Sequence, residues 1–216
     1  MNCNISKYHD CNTKKLFLQS ICKAKLNMTK SQLRSIYTDK RKLLSAEDYS
    51  SLNNLLLNQL KTIDWSDFSY LHCFWPMLNR KEIDTRVLIN WLRTQYPNVK
   101  VVLPRADFAS AQMRHFVYEG EHSLQENEYG IMEPKRGEEV DAAKMDVVLI
   151  PLLVADKRGY RVGYGKGFYD RFLAQSKPEC KFIGLSLFDL IDNIDDTNEQ
   201  DVRLHQCFTP HEKIVF

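Results

Sequence analysis

Glycine is scarce in this chain: eight among 216 residues, beside seven prolines. Long apolar runs are missing too, and no stretch approaches the ~20 residues of a membrane span. The six cysteines form no C-x-x-C pair and none stands at zinc spacing from a histidine. That argues against a metal cluster and reads as scattered reduced thiols of a cytoplasmic protein. Charge of one sign is also lacking. The formal charge of +2 is too small to point to nucleic acid. The first 27 residues have no arginine and no apolar core longer than "LFLQSIC", which excludes a secretory signal and disfavours a basic targeting segment. Neither a nucleic acid nor a membrane is therefore expected as a partner; the chain is expected to act as a monomer.

What charge there is lies unevenly. Residues 1–30 carry six lysines and one aspartate, a balance of +5 against −3 for the rest, and residues 1–27 hold Cys3, Cys11 and Cys22. The helical stretch "TKSQLRSIY" begins directly after Met28. Residues 1–27 are thus read as a dispensable extension, disordered or non-native, and residues 28–216 as one domain.

Residues 29–43 place Leu33, Ile36, Tyr37, Leu43 and Leu44 at helical spacing, with Lys30, Arg34 and Arg41 on another stripe. Ser45, followed by Asp48, reads as the cap of a second helix that turns Tyr49, Leu52, Leu55, Leu56, Leu60 and Ile63 inward. "FSYLHCFWP" (68–76) reads as a strand. A helix follows with Val87, Leu88, Trp91 and Leu92 inward, and then strands at 99–104 and 113–118. Residues 119–144 are polar and read as a loop lining a site. "DVVLIPLLV" (146–154) suits a central strand buried on both faces. "CKFIGLSLF" (180–188) is the next strand, and the C-terminus closes partly as another. Alternation of strands and helices predicts an α/β fold with a mostly parallel central sheet.

Half of the scarce glycines fall between residues 159 and 167, in and just before "RVGYGKGFYD". This stretch joins the most apolar strand to a helix carrying Phe168, Tyr169, Phe172 and Leu173 on one face. Ligands of α/β sheets bind at such strand ends. Gly163, Gly165 and Gly167 alternate with Tyr164 and Lys166, so backbone amides can approach an anion closely. Arg161 and Lys166 add positive charge. Glycines that merely serve tight turns are the plainer reading; interleaved cations between a strand and a helix favour a phosphate cradle. A Walker loop would need Ser or Thr after Lys166, where Gly167 stands. A dinucleotide fingerprint would need glycine at Phe168.

"RVGYGKGFYDRFL" resembles the signature of the 5-formyltetrahydrofolate cyclo-ligase family, also called 5,10-methenyltetrahydrofolate synthetases. "KSQLR" (30–34), "KEIDT" (81–85) and "EYGIMEP" (128–134) resemble three further motifs of that family, in order and spacing. The likeness covers about residues 28–212. It implies a three-layer α/β/α fold of the NagB/RpiA/CoA-transferase type. It also implies an ATP- and magnesium-dependent cyclisation of 5-formyltetrahydrofolate, with ADP and phosphate released. Two other classes remain beside it: a folate- or nucleotide-binding protein without turnover, and another ATP-dependent phosphotransferase on the same scaffold.

The resemblance assigns roles to residues that read blandly by themselves. Lys30 and Arg34, otherwise a solvated basic stripe, become ATP-binding with Arg161, Gly163, Tyr164, Gly165, Lys166, Gly167, Phe168 and Tyr169. Arg161 and Lys166 become the catalytic cations that stabilise charge on the transferring phosphoryl group. Asp170, otherwise a helix-start carboxylate, becomes a magnesium ligand with Asp201. Where the family often has another aspartate four residues after Asp201, this chain has His205. Met77, Glu82 and Tyr169 become substrate-binding, with Phe168 and Trp75 as further walls for the pterin. Lys81, Arg105 and Arg114 are the candidates for the anionic glutamate tail.

Overall fold

The computed structural model describes residues 28–216, and the extension predicted at 1–27 lies outside the described residues. Two helices open the described chain, α1 (Lys30–Leu43) and α2 (Ala46–Leu60). Strand β1 (Tyr70–His72), helix α3 (Thr85–Gln95) and strands β2 (Lys100–Asp107) and β3 (Gln112–Val117) follow. A small hairpin of β4 (Leu124–Glu126) and β5 (Met132–Pro134) precedes the apolar strand β6 (Val147–Pro151). After it come β7 (Val154–Ala155), β8 (Arg161–Val162) and the six-residue α4 (Phe168–Leu173). Strands β9 (Lys181–Leu185), β10 (Gln206–Phe208) and β11 (Lys213–Val215) end the chain.

Seven strands form one sheet in the order β11-β10-β9-β6-β1-β2-β3. Its five inner strands run parallel, and β3 and β11 pair antiparallel at the two edges. The centre is β6, whose Val147, Val148, Leu149 and Ile150 are all fully buried. They alternate between two cores, as the pleat requires. Val147 and Leu149 join Leu56, Leu57 and Leu60 of α2 and Leu88, Ile89 and Leu92 of α3. Val148 and Ile150 join Phe172 and Leu173 of α4 with Val140, Ala142 and Met145. The fold is the predicted three layers with a mostly parallel sheet, but the layers are unequal: two full helices cover one face, one short helix and loops the other.

Helix α1 stands apart from both faces. Its Leu33, Ile36 and Tyr37 pack with Leu153, Val154 and Val162 around the two-stranded β7–β8 ribbon. That ribbon sits just beyond the carboxyl end of β6, so α1 lies over the end of the sheet. Its start is fixed by a capping box in which Thr29 and Gln32 bond each other's backbone N–H.

Several expectations shift. The strand predicted over 68–76 is only Tyr70–His72, and beyond it Phe74 and Trp75 line the cavity described below. The run 146–154 breaks after Pro151, because Leu153 N–H bonds Val162 of the ribbon instead of continuing the sheet. The region 119–144 is a loop with the β4–β5 hairpin built into it. Leu43, Leu55 and Val87 are exposed, while Leu57 and Ile89 take core positions. A stripe displaced by one or two residues still follows helical period, so sequence spacing alone does not fix its centre. Among the described residues Cys73, Cys180 and Cys207 are buried free thiols, each pushed up to about 12 by burial. Among them, too, no helix is long and apolar enough to cross a membrane.

Candidate active site

A cavity of about 730 Å³ opens at the carboxyl ends of the central strands, where parallel sheets present their ligand sites. The residues predicted for ATP, metal and pterin line it: Lys30 and Arg34 from α1, Met77 and Glu82 from the loop after β1, Arg161, Gly163 to Asp170, and Asp201. Trp75 and Phe168 line it as well. Lys81, Arg105 and Arg114 do not. Lys81 donates to the carbonyls of Lys42 and Leu44 at the end of α1, Arg105 to the Lys135 carbonyl, and Arg114 to Glu139.

The three glycines of the loop differ in why they are glycine. Gly165 has φ +91°, and a Cβ there would stand 3.0 Å from the Arg34 guanidinium carbon. Arg34 can lie against the loop because that Cβ is missing, and its Nε donates to the Gly163 carbonyl at 2.9 Å. Gly167, φ +68°, makes the left-handed turn into α4. At Gly163 neither reason applies: φ is not positive, and an added Cβ would meet nothing within 4 Å. A side chain there would enter the cavity. Helix α4 has only six residues, so the loop amides and cations, more than an aligned helix dipole, make this part of the cavity attractive to anions.

Two ion pairs hold the cavity's charges against each other. Lys30 Nζ meets Asp201 at 2.5 Å with both side chains mostly covered. Arg161, whose side chain is only 6% exposed, donates to Asp170 at 2.6 Å and to the Val202 carbonyl. Burial pulls the Arg161 guanidinium down from its usual range, and Asp170 opposes that. Arg161 therefore holds Asp170 in place rather than presenting a bare charge. The Val202 N–H also reaches Asp170 at 3.2 Å, so the two aspartates converge through neighbouring backbone. Among the described residues Lys166 has no ion-pair partner, and it is exposed at the cavity rim.

The same cavity is lined by Glu82, a carboxylate only 3% exposed. Its two oxygens accept from the Met77 N–H at 2.8 Å and from the Tyr164 hydroxyl. Burial pushes its titration up, and those two hydrogen bonds pull it back. The Tyr169 hydroxyl is buried beside it and lacks a partner, and burial pushes this phenol well up. A buried hydroxyl without a partner calls for one from a ligand or water.

Sequence reasoning missed several contributors. Arg80 lies over the Tyr164 ring at 5.6 Å and lines the cavity. Phe108, at the turn between β2 and β3, packs on Tyr129 and Phe168 to close one wall. Nothing local marks Phe108. Glu133, in contrast, stands inside the "EYGIMEP" motif and lines the cavity.

Fold and site define an α/β protein with a cavity at the carboxyl ends of parallel strands, lined by a glycine loop, several cations and a buried carboxylate. Residues 27–210 match the 5-formyltetrahydrofolate cyclo-ligase family model, and the chain belongs to that family. A probable 5-formyltetrahydrofolate cyclo-ligase of Schizosaccharomyces pombe is 26% identical over 155 residues, which is 69% of this chain and 74% of that protein. The 5-formyltetrahydrofolate cyclo-ligase of Haemophilus influenzae is 34% identical over 108 residues, 49% of this chain and 57% of that one. The fold of the 5,10-methenyltetrahydrofolate synthetase of Aquifex aeolicus superposes with a TM-score of 0.74 at 25% identity, over 87% of this chain and 93% of that one. The synthetase of Mycoplasma pneumoniae gives 0.66 at 21% identity, over 85% and 99%.

Proposed function

We propose that this chain catalyses the ATP-dependent cyclisation of 5-formyltetrahydrofolate to 5,10-methenyltetrahydrofolate, releasing ADP and phosphate. The observation that carries this reading is one cavity with two chemically different parts. A glycine loop with open space at Gly163 and the unpaired Lys166 make one part of its lining, and buried Glu82 with Met77 makes another.

The chemistry requires a poor leaving group to be improved. The formyl oxygen takes the terminal phosphoryl group of ATP, and ADP leaves. Nitrogen 10 then attacks the activated carbon and loses its proton, and the oxygen departs as phosphate. Positioning and charge stabilisation are the protein's main contributions to such a transfer. Lys166, Lys30 and Arg34 bind the phosphates, and Lys166 stabilises the charge on the phosphoryl group in transit. Glu82 accepts hydrogen bonds from the amino and ring N–H groups of the pterin. Tyr169 offers its unpartnered hydroxyl beside that ring, with Met77 as an apolar contact.

Asp170 and Asp201 suit magnesium, which takes one or two carboxylates and completes its shell with water and phosphate. Among the described residues no group of three or more His, Cys, Asp or Glu gathers as a site for a metal demanding more protein ligands. When bound, magnesium would neutralise charge on the phosphate oxygens, and Lys30 would exchange Asp201 for phosphate. The buried thiols fit a protein of the reducing cytoplasm, and the reading requires a monomer only.

Calorimetry tests the two parts separately. Lys166→Ala is expected to weaken ATP binding and leave 5-formyltetrahydrofolate binding intact, and Glu82→Ala to do the reverse. Equal loss of both ligands in both variants would contradict the division.

A further inference from the structure

Arg41 lies on the same stripe of α1 as Lys30 and Arg34, one end of the helix serving the phosphates and the other pointing inward. It is 4% exposed, and no carboxylate among the described residues pairs with it directly. Its Nη1 donates to the Tyr164 hydroxyl at 2.9 Å and its Nη2 to the Leu152 carbonyl at 2.7 Å. The Tyr164 hydroxyl in turn donates to Glu82. A buried guanidinium without a partner carboxylate is costly, and here the nearest compensating charge lies one hydroxyl away.

We infer that Arg41 is a positioning residue for the substrate part of the site, acting on Glu82 through the hydroxyl of Tyr164. A guanidinium can only donate, so Arg41 occupies the acceptor side of the hydroxyl. The single phenolic proton is then directed at Glu82. Met77 N–H fills the other carboxylate oxygen. Both oxygens are thereby engaged as acceptors, which favours the ionised form against the upward push of burial, and their remaining lone pairs are left for the N–H groups of a bound heterocycle. The inference deepens the folate reading and rests on it for the identity of that heterocycle.

Other charges face Glu82 as well. Arg80 stands in its own segment and lowers its titration, as Arg41 does. Tyr49 of α2 donates to the Glu82 carbonyl, Tyr169 lies beside it, and Asp84 follows two residues on. Arg41 differs in being bonded into the carboxylate's own hydrogen-bond chain.

The test is the titration of Glu82 in the full chain, read by carbon NMR of the glutamate side-chain carboxyls and assigned with Glu82→Gln. Arg41→Met and Tyr164→Phe are each expected to raise the midpoint by roughly 1 pH unit. The double variant should raise it no further than the larger single shift. In Arg41→Met, binding of 5-formyltetrahydrofolate without nucleotide should weaken at neutral pH and recover as pH rises, with ATP affinity kept. A merely structural staple to Leu152 would lower the melting temperature and leave the Glu82 midpoint in place, overturning the inference. If Arg41→Met does not fold, Tyr164→Phe decides, since it cuts the link and leaves the Leu152 bond; an unmoved midpoint overturns the inference. The titration needs no ligand. Midpoints that shift as expected in a protein that binds no folate would therefore sink the functional reading and leave this one standing.

Discussion

Gly163 and Gly165 differ in what a single methyl group would do. At Gly165, alanine must take φ near +91° and press on Arg34. Gly165→Ala is expected to cost about 1–2 kcal/mol, seen as a lower urea midpoint, and to displace Arg34. Gly163→Ala should leave stability within about 0.5 kcal/mol, since its Cβ meets nothing, yet weaken ATP binding roughly tenfold or more by filling cavity space. A Gly163→Ala variant with normal ATP affinity would remove that glycine from the cradle. Lys166→Ala should lower turnover about 10²–10³-fold with the fold intact, and a rate near wild type would contradict its assignment. These positions were legible because the glycines alternate with cations after an apolar strand. The partners were not. That Lys30 pairs with Asp201 and Arg161 with Asp170 depends on distances between segments up to 171 residues apart, which no local pattern encodes.

Helix α1 is the element on which both parts of the site depend. Its capping box at Thr29 and Gln32 fixes the turn that carries Lys30. Thr29→Ala is expected to cost about 1 kcal/mol and to weaken nucleotide binding more than folate binding; thermal melts with and without each ligand check both. The sequence read the period of this helix correctly, with Leu33, Ile36 and Tyr37 inward. It read Lys30 and Arg34, on one stripe with Arg41, as solvated when taken by themselves. That stripe faces the glycine loop because α1 packs on the β7–β8 ribbon and not on the sheet. The ribbon itself was hidden inside an unbroken apolar run, where hydropathy gives no sign that Leu153 turns to pair with Val162. A strand of three residues such as β1 likewise leaves only a weak period-2 signal.

At the scale of the whole molecule, the layer under α4 carries a pH dependence. His72 and His115 pack on Phe172 with ring centroids 4.7 and 4.1 Å away, and three of their four ring nitrogens are buried without partners. Burial pulls His115 down to about 4 and His72 well below its ordinary value. Between pH 4 and 6.5 the unfolded chain thus binds protons that the folded chain refuses. Stability is complete above about pH 6.5 and falls as pH drops toward 4, by up to roughly 3 kcal/mol for His115. His115→Phe should flatten that slope in chemical denaturation at a series of pH values; an unchanged slope would contradict the burial argument. The central claim concerns the cavity at the end of the sheet, and one measurement addresses it most directly: methenyltetrahydrofolate absorbance and ADP release, followed together from 5-formyltetrahydrofolate with and without ATP. The account predicts product only with ATP, one ADP for each methenyl group formed. ATP-independent product, or ADP released without any methenyl product, would contradict it.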